Sequence, residues 1–172
     1  MTEKIQRSAL DLGRKSVLAI DENPFGLKLI VDICKGLELG SVATCKATGH
    51  VLAALAAAHY DVVICDWGAP PLDGPAMVRQ VRASADARIK RASIILLKAN
   101  ASAADVTAAR EAGVTEFLAR PFSAQALLHR LTAIFSKPRD FVSDAAFTGP
   151  DRRRRGAAEK QQTRRSADAA KE

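Results

Sequence analysis

The stretch Ser16–Glu22 reads SVLAIDE, a short apolar run that ends in two acidic residues. A second run, Asp61–Asp66, reads DVVICD and ends in the same way. Short β-branched runs between helical segments predict buried parallel strands. In an open parallel sheet, sites lie beyond the carboxyl ends of the strands, where the strand order reverses. The two runs therefore predict a site that contains Asp21, Glu22 and Asp66.

The segment from Lys15 to Phe135 alternates strand and helix patterns. The five predicted strands are Ser16–Ile20, Val42–Lys46, Val62–Cys65, Ser93–Leu97 and Glu116–Ala119. The five predicted helices are Pro24–Leu37 with Asn23 as its N-cap, His50–His59, Pro75–Ala83, Ala101–Ala112 and Ser123–Phe135. Strict alternation with right-handed crossovers predicts an α/β fold, a doubly wound five-stranded parallel sheet covered by five helices.

Charge and composition divide the 172 residues into three parts. Residues 1–15 are an N-terminal extension, residues 16–136 are the α/β domain, and residues 137–172 are an arginine-rich tail. The tail is expected to be largely disordered, with Phe141 and Phe147 packed on the domain. Residues 1–135 hold 16 Lys/Arg and 13 Asp/Glu, a net charge of +3, whereas residues 136–172 hold 10 and 6, a net charge of +4. The basic excess of the tail favours an anionic partner.

Composition also excludes several classes of protein. A hydrophobic fraction of 48% is enough to fill a core. No apolar stretch reaches membrane-spanning length, and residues 1–15 lack the apolar segment of a secretory signal, so no membrane insertion is expected. The three cysteines share no metal-binding spacing and indicate reduced thiols in a cytoplasmic protein. The segment after Phe135 is too short and too polar for a helix-turn-helix domain, so DNA is not an expected partner.

Three motifs together resemble the receiver domain of two-component response regulators, the CheY-like family. They are AIDENP at Ala19–Pro24, CDWGAPPLDG at Cys65–Gly74 and FLARPF at Phe117–Phe122. The resemblance covers Ser16–Phe135 and implies the strand order 2-1-3-4-5, which places the first and third strands side by side. It also implies a signalling protein rather than an enzyme. A histidine kinase or phosphotransfer protein would act upstream, and a protein target would contact the fourth helix, fifth strand and fifth helix.

The resemblance implies roles for individual residues. Asp66 matches the phosphate-accepting aspartate, and Asp21 and Glu22 match the acidic positions that bind Mg²⁺ together with Asp66 and the backbone carbonyl of Gly68. A carboxylate can act as a phosphoryl nucleophile when a divalent ion neutralises its neighbours, and Mg²⁺ suits two or three carboxylates plus waters. An aspartyl-phosphate hydrolase would need a second acid two residues after the nucleophile, and that position is Gly68.

Two of the three switch or phosphate-contact positions, Lys98 and Arg120, depart from the family pattern. Lys98 stands where an ordinary receiver has a Thr or Ser hydroxyl, and Phe117 matches the aromatic switch position without a hydroxyl. Arg120 replaces the usual lysine and can bind phosphate through two donors. We predict that Lys98 pairs with Asp66, weakens Mg²⁺ binding and makes the phosphorylation site degenerate. The alternative, in which Lys98 extends into solvent and alters nothing, stays open.

The tail resembles the arginine-rich extension of a subgroup of CheY-like proteins that bind cyclic-di-GMP and act at the flagellar motor. Its candidate ligand-binding residues are Arg152, Arg153, Arg154, Arg155, Arg164 and Arg165. Guanidinium groups bind phosphates and stack on planar bases. The sequence thus predicts a cyclic-di-GMP effector that contacts a protein target such as a flagellar motor component. Two alternatives stay open: a generic contact with nucleic acid or protein, and an inert tail on a conventional phospho-Asp66 receiver of a phosphorelay.

Overall fold

The computed structural model describes residues 11–152, and its centre is a parallel β-sheet. The five strands are β1 Ser16–Ile20, β2 Ser41–Cys45, β3 Val62–Asp66, β4 Ser93–Ala99 and β5 Glu116–Arg120. Their order is β2-β1-β3-β4-β5, and each neighbouring pair runs parallel. The predicted doubly wound α/β fold and its strand order are confirmed.

Helices cover both faces of the sheet. Five helices of seven or more residues occur in the described range: α1 Pro24–Gly36, α2 Val51–Ala57, α3 Gly74–Arg82, α4 Ala103–Ala112 and α5 Ala124–Ser136. The predicted cap of α1 is confirmed, because the Asn23 side chain accepts a hydrogen bond from the Phe25 amide. A one-turn helix, Ala87–Lys90, precedes β4. It was not predicted, since four residues are too few to show a helical period.

Two apolar clusters hold the layers together. One packs α1 and α5 on one face of the sheet, and the other packs α2, α3 and α4 on the opposite face. The central strands β1, β3 and β4 are buried along most of their length, which explains why they are continuous apolar runs in the sequence. None of the described helices is both long and apolar enough to cross a membrane.

The chain after α5 forms an antiparallel hairpin, which the sequence did not predict. Its strands are β6 Phe141–Ser143 and β7 Thr148–Pro150, and strands of three residues are too short to show alternation. The hairpin lies against the end of α4, where a Cβ on Gly149 would overlap the backbone of Gly113. The expectation of a largely disordered tail therefore does not hold for residues 141–150, and residues 153–172 lie outside the described range.

The two aromatic residues of this segment both contact arginines. The Phe141 ring lies 5.6 Å from the guanidinium carbon of Arg82 and 4.8 Å from that of Arg91, so Phe141 packs on the domain as expected. Phe147 is half-buried, and its ring centroid lies 4.0 Å from the guanidinium carbon of Arg152. The hairpin is thus fixed to the domain through Phe141 and through its contact with the end of α4.

Arg82, the last residue of α3, is a buried cation beneath the hairpin. Its side chain donates hydrogen bonds to the carbonyl of Gly113 at 2.9 Å and to those of Lys90 and Ala92 at 2.7 and 2.8 Å. Only 4% of the residue is exposed, and burial lowers the pKa of its guanidinium to about 10. Arg82 therefore joins α3, the one-turn helix and the end of α4, and Phe141 covers it.

Candidate functional site

Asp21 and Asp66 come together at the carboxyl edge of the sheet. Ile20 and Cys65 are paired in the β1–β3 register, and each acid follows its paired residue in the chain. Arg120, the last residue of β5, reaches both: its Nη2 lies 2.8 Å from Asp21 Oδ2, and its Nε lies 3.2 Å from Asp66 Oδ1. The first contact is an aligned hydrogen bond, whereas the second is an ion pair without hydrogen-bond alignment. One guanidinium thus bridges the two carboxylates.

The second oxygen of each carboxylate accepts a hydrogen bond from a backbone amide. The Asn23 amide donates to Asp21 Oδ1 at 2.9 Å, and the Gly68 amide donates to Asp66 Oδ2 at 2.9 Å. Each of the four oxygens therefore faces a donor. The Asp21 side chain is only 5% exposed, and that of Asp66 is 25% exposed. Asp66 is the carboxylate that a reagent or partner can reach.

Gly26 leaves the space that the Asp21 carboxylate needs. It lies in the first turn of α1, and a Cβ built on it would overlap the carboxylate of Asp21. The close approach of α1 to the acidic pocket therefore requires a glycine at this position.

We expect Gly26→Ala to lower the free energy of unfolding by about 2 kcal/mol, because the added methyl group displaces Asp21 from Arg120 or shifts α1. Urea denaturation measures this change. Gly36→Ala is the matched control, since a Cβ there would meet nothing within 4 Å. The control is expected to be neutral or to stabilise by up to about 1 kcal/mol. Equal effects of the two substitutions would contradict the close approach of α1 to Asp21.

In this arrangement two of the three acids predicted to bind magnesium lie in the pocket, and the Arg120 guanidinium lies between them. Glu22 is exposed, and the described residues include no group of three or more His, Cys, Asp or Glu side chains placed to hold a metal ion. The expected cluster of three acids is therefore a pair, Asp21 and Asp66, whose oxygens already face Arg120 and two backbone amides. A divalent cation would have to displace the guanidinium, since like charges repel at this distance.

Lys98 does not contact Asp66, which corrects the predicted ion pair. Its Nζ lies 3.6 Å from Asp105 Oδ1 and 4.6 Å from the centroid of the Trp67 ring. Hydrogen bonds from the Ser102 amide and hydroxyl, together with the Lys98 charge, lower the pKa of Asp105. Lys98 has this anionic partner at the start of α4, whereas Arg120 already occupies Asp66. Its side chain is 24% exposed, so the solvent alternative does not describe it either.

Phe117 contributes an aromatic contact beside the pocket. Its ring meets the edge of the Trp67 ring, with centroids 6.3 Å apart and an interplanar angle of 80°. The Trp67 ring therefore contacts a cation, Lys98, and packs edge-to-face with a second ring, Phe117. Trp67 lies within the motif CDWGAPPLDG, which gives no sign of these contacts because they come from two other strands.

Thr48 is a further residue that sequence reasoning missed. Its buried hydroxyl lies 3.0 Å from the carbonyls of Ala69 and Leu72, and it also accepts a hydrogen bond from the Leu72 amide at 3.0 Å. These bonds fix the loop that follows Asp66 and thus the position of Gly68. A single threonine in a predicted loop gives no signal for this role, which depends on a contact 24 residues away.

The arginine-rich segment begins at the other end of the sheet. Helices that connect parallel strands run antiparallel to them, so the end of α4 lies at the amino edge of the sheet. Arg152 is exposed, and its carbonyl accepts a hydrogen bond from Arg110 of α4 at 3.2 Å. The remaining candidates, Arg153, Arg154, Arg155, Arg164 and Arg165, lie outside the described residues. The acidic pocket and the start of the arginine-rich segment are therefore separate sites.

Comparison with known proteins supports one family for the α/β domain. The sequence profile of the response regulator receiver domain matches residues 17–132. The chemotaxis protein CheY of Pseudomonas aeruginosa is 26% identical over 121 residues, which are 70% of this chain and 96% of that protein. The match to the family profile ends before the hairpin.

Two solved structures resemble the domain with similar TM-scores and similar sequence identities. The chemotaxis response regulator CheY4 of Vibrio cholerae has a TM-score of 0.63 at 25% identity, covering 70% of this chain and 98% of its own. The receiver domain of a sensor histidine kinase from Pseudomonas aeruginosa has a TM-score of 0.61 at 28% identity, covering 71% and 97%. That second structure has a magnesium ion coordinated in its active-site cleft.

Proposed function

Because this chain belongs to the response regulator receiver domain family, we propose that it is a signalling adaptor with a degenerate phosphorylation site. The observation that supports this proposal is the bridge from Arg120 to both Asp21 and Asp66. Transfer of a phosphoryl group to Asp66 adds negative charge beside Asp21 and requires an Asp66 oxygen that Arg120 or the Gly68 amide now contacts. The resident guanidinium therefore opposes divalent cations by charge repulsion, and it contacts an oxygen of Asp66 that phosphoryl transfer needs.

The adaptor acts by protein–protein contact and has no catalytic output of its own. Its target surface is formed by α4, β5 and α5, and a flagellar motor component is a candidate target. A conventional phospho-Asp66 receiver, phosphorylated by a histidine kinase or phosphotransfer protein, is the second candidate. The observation that favours it is the 25% exposure of the Asp66 side chain at the carboxyl end of β3.

The ligand of this adaptor is cyclic-di-GMP, bound by the arginine-rich segment. Four consecutive arginines, Arg152–Arg155, follow the hairpin in the sequence. The first of them is exposed and lies with its guanidinium carbon 4.0 Å from the Phe147 ring centroid. Guanidinium groups held in this way bind phosphate through paired donors and stack on planar bases. The hairpin thus supplies a defined starting point for the segment.

Calorimetric titration of cyclic-di-GMP into the full chain tests this function. We expect the double substitution Arg153→Gln/Arg154→Gln to weaken binding at least about tenfold, because charge-assisted contacts with phosphate are lost. Lys28→Gln/Lys35→Gln removes the same charge from the exposed face of α1 and should change the affinity little. A linear dinucleotide of equal charge should bind more weakly than the cyclic one.

Two results would contradict the ligand assignment. Equal affinity for any polyanion, with a steep dependence on salt, would show generic electrostatic binding. An absence of binding at millimolar cyclic-di-GMP would show that the segment has no such ligand, and the conventional phospho-Asp66 receiver would then be the better description.

A further inference from the structure

Two adjoining cavities lie at the amino edge of the sheet, at the opposite end from the acidic pocket. The larger, of about 390 Å³, lies between the end of α2, the one-turn helix, the start of β4 and the end of α5. The smaller, of about 190 Å³, lies between the hairpin, β4, β5 and α5. Arg91, Ser93 and Ile134 line both cavities. We treat the two as one basal groove, with Arg91 at their junction.

The basal groove offers apolar and aromatic surface to a ligand. Leu55, Ile89 and Ile134 are at most 7% exposed and contribute apolar surface to its lining. The aromatic rings along it are Tyr60 and Phe135 in the larger part and Phe141 in the smaller part. The volume of the larger part falls in the range of small-molecule sites. A planar ring system is the kind of group that such a lining accommodates.

Uncompensated positive charge lies along the same groove. Arg91 is exposed, and its guanidinium carbon lies 4.8 Å from the centroid of the Phe141 ring. Lys137 is exposed on the wall of the smaller part. Among the described residues, no carboxylate forms an ion pair with either side chain. Arg88 adds a third cation, which is paired with Asp86 at 3.8 Å.

The acidic residues of the lining are already neutralised. Asp61 pairs with Lys15 at 3.3 Å. Although burial raises the pKa of Asp61, hydrogen bonds from Ser16 and the charge of Lys15 lower it overall, so Asp61 stays ionised in this pair. Glu116 lies 3.4 Å from Arg130 and 3.9 Å from Arg139. The charge left to attract a ligand is therefore positive.

We propose that the basal groove binds an anion of the nucleoside phosphate class, with its base against the aromatic rings and its phosphate near Arg91 and Lys137. This inference rests on the proposed function, because it places the ligand proposed for this chain, cyclic-di-GMP, in a groove lined by residues of the domain and the hairpin. Pro150 of β7 lines the smaller part, and Arg152 follows two residues later. Arg152, the last described residue, therefore lies two residues along the chain from the lining of the groove.

Titration of cyclic-di-GMP into the full chain, carrying Arg91→Gln or Lys137→Gln, tests the groove. We expect each substitution to weaken binding at least about fivefold, a loss typical of one phosphate contact made by a charged donor. Lys28→Gln and Lys35→Gln on α1 are the charge-matched controls and should have no such effect. Far-UV circular dichroism and thermal unfolding of each variant confirm that the fold is retained.

The aromatic composition of the chain gives a second, local readout. The chain has a single Tyr, Tyr60 in the groove, and a single Trp, Trp67 beside the acidic pocket. On titration with cyclic-di-GMP, the NMR signals of the Tyr60 ring should shift while the Trp67 indole signal stays in place. A shift of the Trp67 signal alone would place the ligand at the acidic pocket and overturn the proposal.

The outcomes separate this inference from the function on which it rests. Binding that depends on Arg153 and Arg154 but not on Arg91 or Lys137, with no shift of Tyr60, overturns the groove and leaves the arginine-rich segment as the site. If the unmodified chain does not bind cyclic-di-GMP, the proposed ligand is wrong, and GTP is the second probe of the groove. An absence of a Tyr60 shift with millimolar GTP then overturns the groove as well.

Discussion

Substitution of Arg82 by leucine is expected to lower the free energy of unfolding by about 3–5 kcal/mol. Each carbonyl acceptor left without a donor costs about 1–3 kcal/mol, and the removal of a buried charge offsets part of the sum of three. The carbonyls of Gly113, Lys90 and Ala92 lose their donor, and no other side chain is described as donating to them. Leucine fills part of the volume but supplies no hydrogen bond. The fold loses the connection between α3, the one-turn helix and the end of α4.

Urea denaturation of the full chain measures this effect. Arg79→Leu is the control, because Arg79 is exposed on the same helix and should change stability by no more than about 0.5 kcal/mol. Limited proteolysis adds a local readout, since Phe141 loses the cation that it covers and the hairpin should be cleaved sooner. A loss below about 1 kcal/mol, within the range of a single hydrogen bond, would show that water replaces the guanidinium and that Arg82 is not a structural centre.

Removal of the Arg120 side chain is expected to strengthen Mg²⁺ binding about 100-fold. In the unmodified chain a cation must break two charge-assisted contacts, and about 3 kcal/mol for the pair corresponds to two factors of ten. Arg120→Ala leaves Asp21 and Asp66 as two close carboxylates without a cation, which is the condition that favours a divalent ion. Calorimetric titration of MgCl₂ measures the change.

Lys98→Ala tests whether Lys98 or Arg120 is the residue that weakens Mg²⁺ binding. The sequence led us to expect that Lys98 repels the metal, whereas the contacts in the structure lead us to expect this of Arg120. Lys98→Ala should therefore leave the Mg²⁺ affinity nearly unchanged. Arg120→Lys should give an intermediate affinity, because an ammonium is a single point charge that cannot bridge both acids with a planar fork. Tighter binding in Lys98→Ala than in Arg120→Ala would restore the original assignment.

The parts of the fold that the sequence predicted are those set by local pattern. The strands β1 and β3 are continuous apolar runs, and the acids that follow them meet because paired parallel strands end at one edge. The capping signal at Asn23 acts within three residues and was equally visible. Such features need no knowledge of distant contacts.

The features that the sequence missed depend on contacts between distant segments. Lys98 contacts Asp105 and Trp67 rather than Asp66. This arrangement depends on the packing of α4 and on the contact between Arg120 and Asp66. Arg120 and Asp21 are 99 residues apart in the sequence, so no local sequence pattern can predict the contact between them. The hairpin likewise depends on the contact of Gly149 with Gly113, and its strands are too short to have a period of their own.

The cover that Phe141 places over Arg82 changes where the autonomous folding unit ends. A boundary drawn from the receiver family would cut after α5, near Ser136, and would leave this buried cation open to water. A fragment that ends there would lack the tail, and its Arg82 side chain would also be exposed to water. We therefore expect the unit that folds by itself to extend at least to Pro150, and ligand binding is best compared through point substitutions in the intact chain.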